Sequence, residues 1–178
     1  MTIEESSVVA AASKAAKFWM KHGGFKAEVI DEEKIGQVHF IFHGEKKIIS
    51  EYFDFVKPLL FKNSKDLTKK MESRGGGIYD IQLIDKTSDL KGYYQLFATF
   101  NTVDAMGANF INSCLEDFSK TFCNSISKFK SKELKEKDVE IIMSILSNYV
   151  PNCIVKSSLS CSVSELNKLE PENKNFAS

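Results

Sequence analysis

The chain has 178 residues, 43% of them hydrophobic and 27% charged, with 24 Lys and Arg against 24 Asp and Glu. That length holds one domain, or one domain with pieces of another. The balanced charge gives no global field to attract nucleic acid or an acidic membrane, and no apolar run approaches the ~20 residues needed to cross a bilayer.

The first predicted element is a helix. Ser6 or Ser7 caps it, Val8 to Met20 is Ala-rich with apolar residues on several sides, and Gly23-Gly24 ends it. Gln37 to Phe42 alternates as a strand and leads to a turn at His43-Gly44-Glu45. Lys46 to Phe61 has helical spacing, with Ile48, Tyr52, Phe55 and Leu59 on one side and Pro58 expected to bend or end it. Ser64 to Ser73 is a second short helix, stopped by Gly75-Gly76-Gly77. Ile78 to Ile84 and Tyr93 to Phe100 are strands joined by a polar loop. A long helix is expected from Asp104 to about Lys130, with Met106, Phe110, Cys114, Phe118 and Phe122 on its inner side. Val139 to Ser147 and Cys153 to Val163 complete the strands, and a polar tail begins at Asn167. Residues 37 to 147 thus run β-α-β-β-α-β, an α+β domain of the ferredoxin-like, split βαβ type.

Three segments have chemical potential. Asp104-Ala105-Met106-Gly107-Ala108-Asn109 places small residues at a helix start, where free N–H groups favour an anion and admit close approach. A plain Asp cap explains the same pattern. The triple glycine opens unusual backbone conformations, yet it matches neither G-x-G-x-x-G nor a P-loop. Glu4-Glu5-Ser6-Ser7 suits a helix start by dipole and cap alone. The cysteines Cys114, Cys123, Cys153 and Cys161 and the histidines His22, His39 and His43 form no close ligand pairs, so no metal is expected and the thiols read as reduced.

The segment Glu4-Glu5-Ser6-Ser7-Val8-Val9-Ala10-Ala11-Ala12-Ser13 resembles the E-E-P-S-V-V-A-A-A-S segment of class II 3-hydroxy-3-methylglutaryl-coenzyme A (HMG-CoA) reductases. Gly75-Gly76-Gly77 with Asp80 resembles that family's triple-glycine turn, Asp104 to Asn109 matches its D-A-M-G-A-N motif unchanged, and Ile145-Leu146-Ser147-Asn148 resembles its I-L-S-N segment. The four matches occur in the family's order. Ser6 stands where the family has proline.

The resemblance implies a chain in three parts. Residues 1–26 would be a piece of the large, HMG-CoA-binding domain, 27–150 the small NAD(P)-binding domain, and 151–178 a return strand of the large domain with the tail. It implies reduction of HMG-CoA to mevalonate and coenzyme A by two hydride transfers from NADPH or NADH, or the reverse, in a cytoplasmic homodimer. Glu5 falls at the catalytic glutamate and Ser7 at a substrate contact. Asp104, Ala105, Met106, Gly107, Asn109 and Asn148 fall against the cofactor. The family's catalytic lysine, aspartate and histidine belong to later segments that nothing here matches, so the chain reads as a fragment inactive by itself. The competing expectation is a non-catalytic interaction module or an inactive remnant of the reductase. The choice between NAD and NADP rests on the stretch from Lys62 to Lys70, where Asp66 sits among Lys62, Lys65, Lys69 and Lys70, and stays open.

Overall fold

The structure, a computed structural model, describes residues 5–130 and 134–166. The tail from Asn167 lies outside the described residues. The chain divides into two compact units, residues 1–30 with 154–178, and residues 31–153. No helix among the described residues is long and apolar enough to cross a membrane.

In the 31–153 unit the elements are the inner part of strand β1 (Lys26–Phe42), helix α2 (Lys46–Asn63), helix α3 (Lys65–Glu72), β2 (Gly77–Asp85), β3 (Tyr93–Asn101), α4 (Ala108–Asn124) and β4 (Val139–Leu146). The strands stand in the order β2-β3-β1-β4, each antiparallel to its neighbours. The expected mixing of α and β elements is what forms, here with one antiparallel sheet.

Alternation builds the core. Val38, Phe40 and Phe42 of β1 and Tyr94, Leu96, Ala98 and Phe100 of β3 point to one face and are buried. The helices bury their stripes in the same cluster: Ile49, Tyr52, Phe53, Val56 and Leu60 from α2, and Ile111, Cys114, Leu115, Phe118 and Phe122 from α4. Each large side chain removed from water contributes about 1.5–3 kcal/mol. Gly36 sets how closely α4 lies on the sheet, because a Cβ there would stand 2.7 Å from Leu115 Cδ1 and 2.9 Å from Ile111 Cγ2. The Tyr52 hydroxyl donates to the Phe122 carbonyl, so the only polar end of that side chain is satisfied as it is buried.

Several expectations are corrected. β1 begins at Lys26, eleven residues before the alternating run, because β5 (Cys153–Ser158) pairs with it and supports its charged, exposed first half. Pro58 does not end α2; the exposed proline loses one backbone bond, while fully buried Leu60 beyond it keeps the helix on the core. The inner face of α2 is turned by one residue from the expected one, leaving Phe55 37% exposed. Helix α4 starts at Ala108 rather than Asp104, and its buried stripe runs through Ile111 and Leu115, leaving Met106 79% exposed before it.

The other unit contains α1 (Ser6–Lys21), the first residues of β1, most of β5 and a single helical turn, α5 (Val163–Leu166). Glu5, not a serine, is the N-cap of α1. Gly23 and Gly24 both take positive φ, and the Gly24 N–H bonds the Trp19 carbonyl, closing the helix as expected. His22 ties the helix end to the turn through Nε2 and the Glu165 carboxylate, 3.3 Å apart. No residue of α1 is buried.

Candidate functional site

The triple glycine and the Asp104 segment meet because β2 and β3 are antiparallel neighbours. Gly77 pairs with Asn101, so the turn entering β2 and the loop leaving β3 lie side by side. They are in tight contact: a Cβ on Gly76 would fall 2.5 Å from the Asn101 carbonyl oxygen. The Arg74 guanidinium then pairs with the Asp104 carboxylate at 2.5 Å, joining the turn to the loop.

The loop itself is folded on its own hydrogen bonds. The Thr102 hydroxyl donates to the Ala105 carbonyl at 2.6 Å, and the Ala105 N–H returns to the Thr102 carbonyl at 3.0 Å. The Asn101 side chain, 9% exposed, accepts from the Val103 N–H at 2.6 Å and bonds the Tyr79 hydroxyl and the Glu32 carboxylate. Held in this way, Val103 takes φ 54°, an unusual value for a β-branched residue. Backbone strain of this kind costs about 1–3 kcal/mol and persists only where the surroundings enforce it.

Gly107 completes the geometry. It has φ 77°, and a Cβ there would lie 2.3 Å from Thr102 Cγ2, so both conformation and space demand glycine. The helix that follows runs for 17 residues and presents its unpaired N–H groups at Ala108 and Asn109. Between this helix start and α3 lies an open groove of about 360 Å³, lined by Leu67, Lys70, Met71, Arg74, Asn109, Phe110 and Ser113. An apolar floor with two cations and two polar side chains at its edge suits a flat ring system carrying phosphate.

Of the sequence-predicted residues, the fold brings Asp104 to Arg74 beside the triple glycine and places Asn109 on the groove, with Ala105, Met106 and Gly107 in the connecting loop. Asp104 does not cap α4; it faces Arg74 and is exposed, as the side-chain exposure of 82% shows. Asn148 is exposed in the bend after β4 and does not line the groove. Glu5 and Ser7 belong to the other unit, where the Ser7 hydroxyl donates to Glu5 Oε1 at 2.7 Å and both residues are exposed. Sequence reasoning missed Arg74, Asn101 and Thr102. Arg74 had a signal, being the sole arginine and adjacent to the glycines; Asn101 and Thr102 had none, since their roles are set by where β3 ends.

The family model described as hydroxymethylglutaryl-coenzyme A reductase matches residues 1–174. The chain belongs to this family. A search by sequence among curated proteins finds no match. Among solved structures, the class II HMG-CoA reductase of Streptococcus pneumoniae bound to NADPH in open conformations is similar over 96% of this chain, at 28% identity and a TM-score of 0.71. Two further structures of the reductase from the same organism are similar at 29% identity with a TM-score of 0.66, covering 88% of this chain, and at 27% with 0.71, covering 96%. This chain spans 43%, 34% and 43% of the length of those three chains.

Proposed function

We propose that residues 27–150 are the NAD(P)-binding small domain of a class II HMG-CoA reductase. Residues 1–26 and 151–178 are then pieces of its HMG-CoA-binding domain. The reaction served is the two-step hydride reduction of HMG-CoA to mevalonate and coenzyme A, or its reverse, in a cytoplasmic homodimer. The observation that supports it most is the glycine-dependent loop Thr102 to Gly107, bonded through Asp104 to Arg74 at the edge of the groove.

The residues present fit a dinucleotide. Gly76 and Gly107 let the turn and the loop pack tightly on Asn101 and Thr102, the start of α4 offers N–H donors, and Lys70 and Arg74 supply positive charge for phosphate. When bound, the cofactor supplies hydride. Asp104, Ala105, Met106, Gly107 and Asn109 hold and orient its nicotinamide half; Asn148, outside the groove, is assigned to the cofactor by the family motif alone. Two cations on the groove, with a similar enzyme known bound to NADPH, favour NADPH over NADH.

Glu5 has the role of proton donor to the substrate carbonyl oxygen, with Ser7 contacting substrate. A donor carboxyl requires burial to keep its proton near neutral pH. In this chain Glu5 is exposed, and its carboxylate accepts from the Ser7 hydroxyl. The polypeptide is therefore expected to bind nucleotide without turnover. That same exposure is what favours the second reading, a binding module without catalysis.

Titration of the chain with NADPH and with NADH, followed by nucleotide fluorescence, tests the assignment. Saturable binding, tighter for NADPH, is expected, together with its loss in Gly107→Val while α4 remains folded by circular dichroism. No binding of either nucleotide at millimolar concentration overturns the cofactor assignment.

A further inference from the structure

Two of the four cysteines are poor nucleophiles by position. Burial pushes the Cys114 thiol up to about 12, with the Asp117 charge adding to it, and burial with the Glu136 charge raises Cys123. Cys153 is placed differently. It is half-buried at the first residue of β5, and the Lys34 amine of β1 stands 2.8 Å from its sulfur, the two residues lying 119 positions apart. Pairing of β5 with β1 holds the two side chains together. Asn152, next in the chain, bonds the Glu33 carboxylate at 2.8 Å, so consecutive residues of both segments are cross-tied. These are also the two places where the chain leaves the 31–153 unit.

We propose that Lys34 and Cys153 form a reversible covalent link when the protein meets a peroxide, a redox site independent of the cofactor groove. Hydrogen peroxide transfers one oxygen to the Cys153 thiol; the O–O bond breaks, sulfur is oxidised to sulfenic acid and water leaves. The neutral Lys34 amine then attacks the sulfur, an N–S bond forms, and the hydroxyl departs with the amine proton as a second water. A thiol reverses the link by attacking sulfur, giving a mixed disulfide and free amine, and a second thiol restores the cysteine. The link ties together the two strands through which the unit is joined to the rest of the chain. It also protects Cys153 from further, irreversible oxidation.

The test is peptide mass mapping of the 178-residue chain after treatment with hydrogen peroxide in the absence of thiols. A peptide pair joining Lys34 to Cys153 is expected, lighter than the sum of its parts by two hydrogens, and it disappears on treatment with dithiothreitol. Lys34→Arg keeps the charge but removes the nucleophilic amine; the link is lost and dimedone labelling of Cys153 rises. Cys153→Ser loses both signals. Oxidation of wild-type Cys153 to sulfinic acid without the linked peptide overturns the proposal. So does equal dimedone labelling of wild type and Lys34→Arg.

Discussion

Helices α1 and α4 are nearly equal in length, 16 and 17 residues, and both are entered from a segment read as part of the active site. Their surroundings differ completely. Helix α4 buries Ile111, Cys114, Leu115, Phe118, Thr121 and Phe122 against the sheet and α2, whereas α1 buries nothing among the described residues. The loop before α4 consequently tolerates a strained Val103 and an obligatory glycine, because the core beneath it fixes both its ends. Glu5, at the start of α1, has the local bonds from the Ser7 hydroxyl and the Val9 N–H. The two segments therefore differ in support: a packed core lies under the loop before α4, and local bonds hold Glu5.

Substitutions sharpen that contrast. Phe118→Ala removes a fully buried ring from the core and should lower stability by about 3–5 kcal/mol in urea unfolding. Asn101→Ala comes next. It strips the Val103 N–H and the Tyr79 hydroxyl of their partner near the start of the loop, with an expected loss of about 1–3 kcal/mol and weaker NADPH binding. Unchanged binding in Asn101→Ala would separate loop order from cofactor recognition.

A smaller effect depends on pH. Hydrogen bonding to Lys46 holds the Asp85 carboxyl down at about 2, and hydrogen bonding to Lys57 lowers Asp80 below the usual range. Both are depressed in the folded state, so their contribution is present above the unfolded carboxylate range and is lost as pH falls from about 4 toward 2. Asp85→Asn should flatten the acid side of the melting-temperature profile, while costing at most about 1 kcal/mol at neutral pH because the pair is at the surface. The smallest effect belongs to α1. Val8, 50% exposed, should change to Ser within about 0.5 kcal/mol. A loss there as large as that of Phe118→Ala would break the comparison between the two helices.

Much of the architecture was legible in the residues. The alternation of Tyr94, Leu96, Ala98 and Phe100 marked a strand with one covered face, and four-residue steps through Phe118 and Phe122 marked the long helix. The start of that helix was misread, since Asp104 is a good cap residue in any local context, whereas Gly107 holds the position because Thr102 occupies the space beside it. Likewise, the charged run Asp31 to Lys34 carries no apolar alternation to declare a strand. It is extended because neighbouring strands pair with it.

By itself the sequence determined the element types, the β-α-β-β-α-β order, the backbone freedom of the triple glycine, and the motifs that place the chain in the reductase family. These depend on the periodicity of side chains and on backbone freedom, which are properties of neighbours in the chain. Only the tertiary structure decided that Arg74 meets Asp104, that Asn101 braces the loop, that Lys70 and Asn109 share a groove, and that Lys34 reaches Cys153. Apart from the Asn101–Val103 bond, these join segments distant in sequence, and the packing of strands and helices, which no local pattern encodes, sets which of them become neighbours.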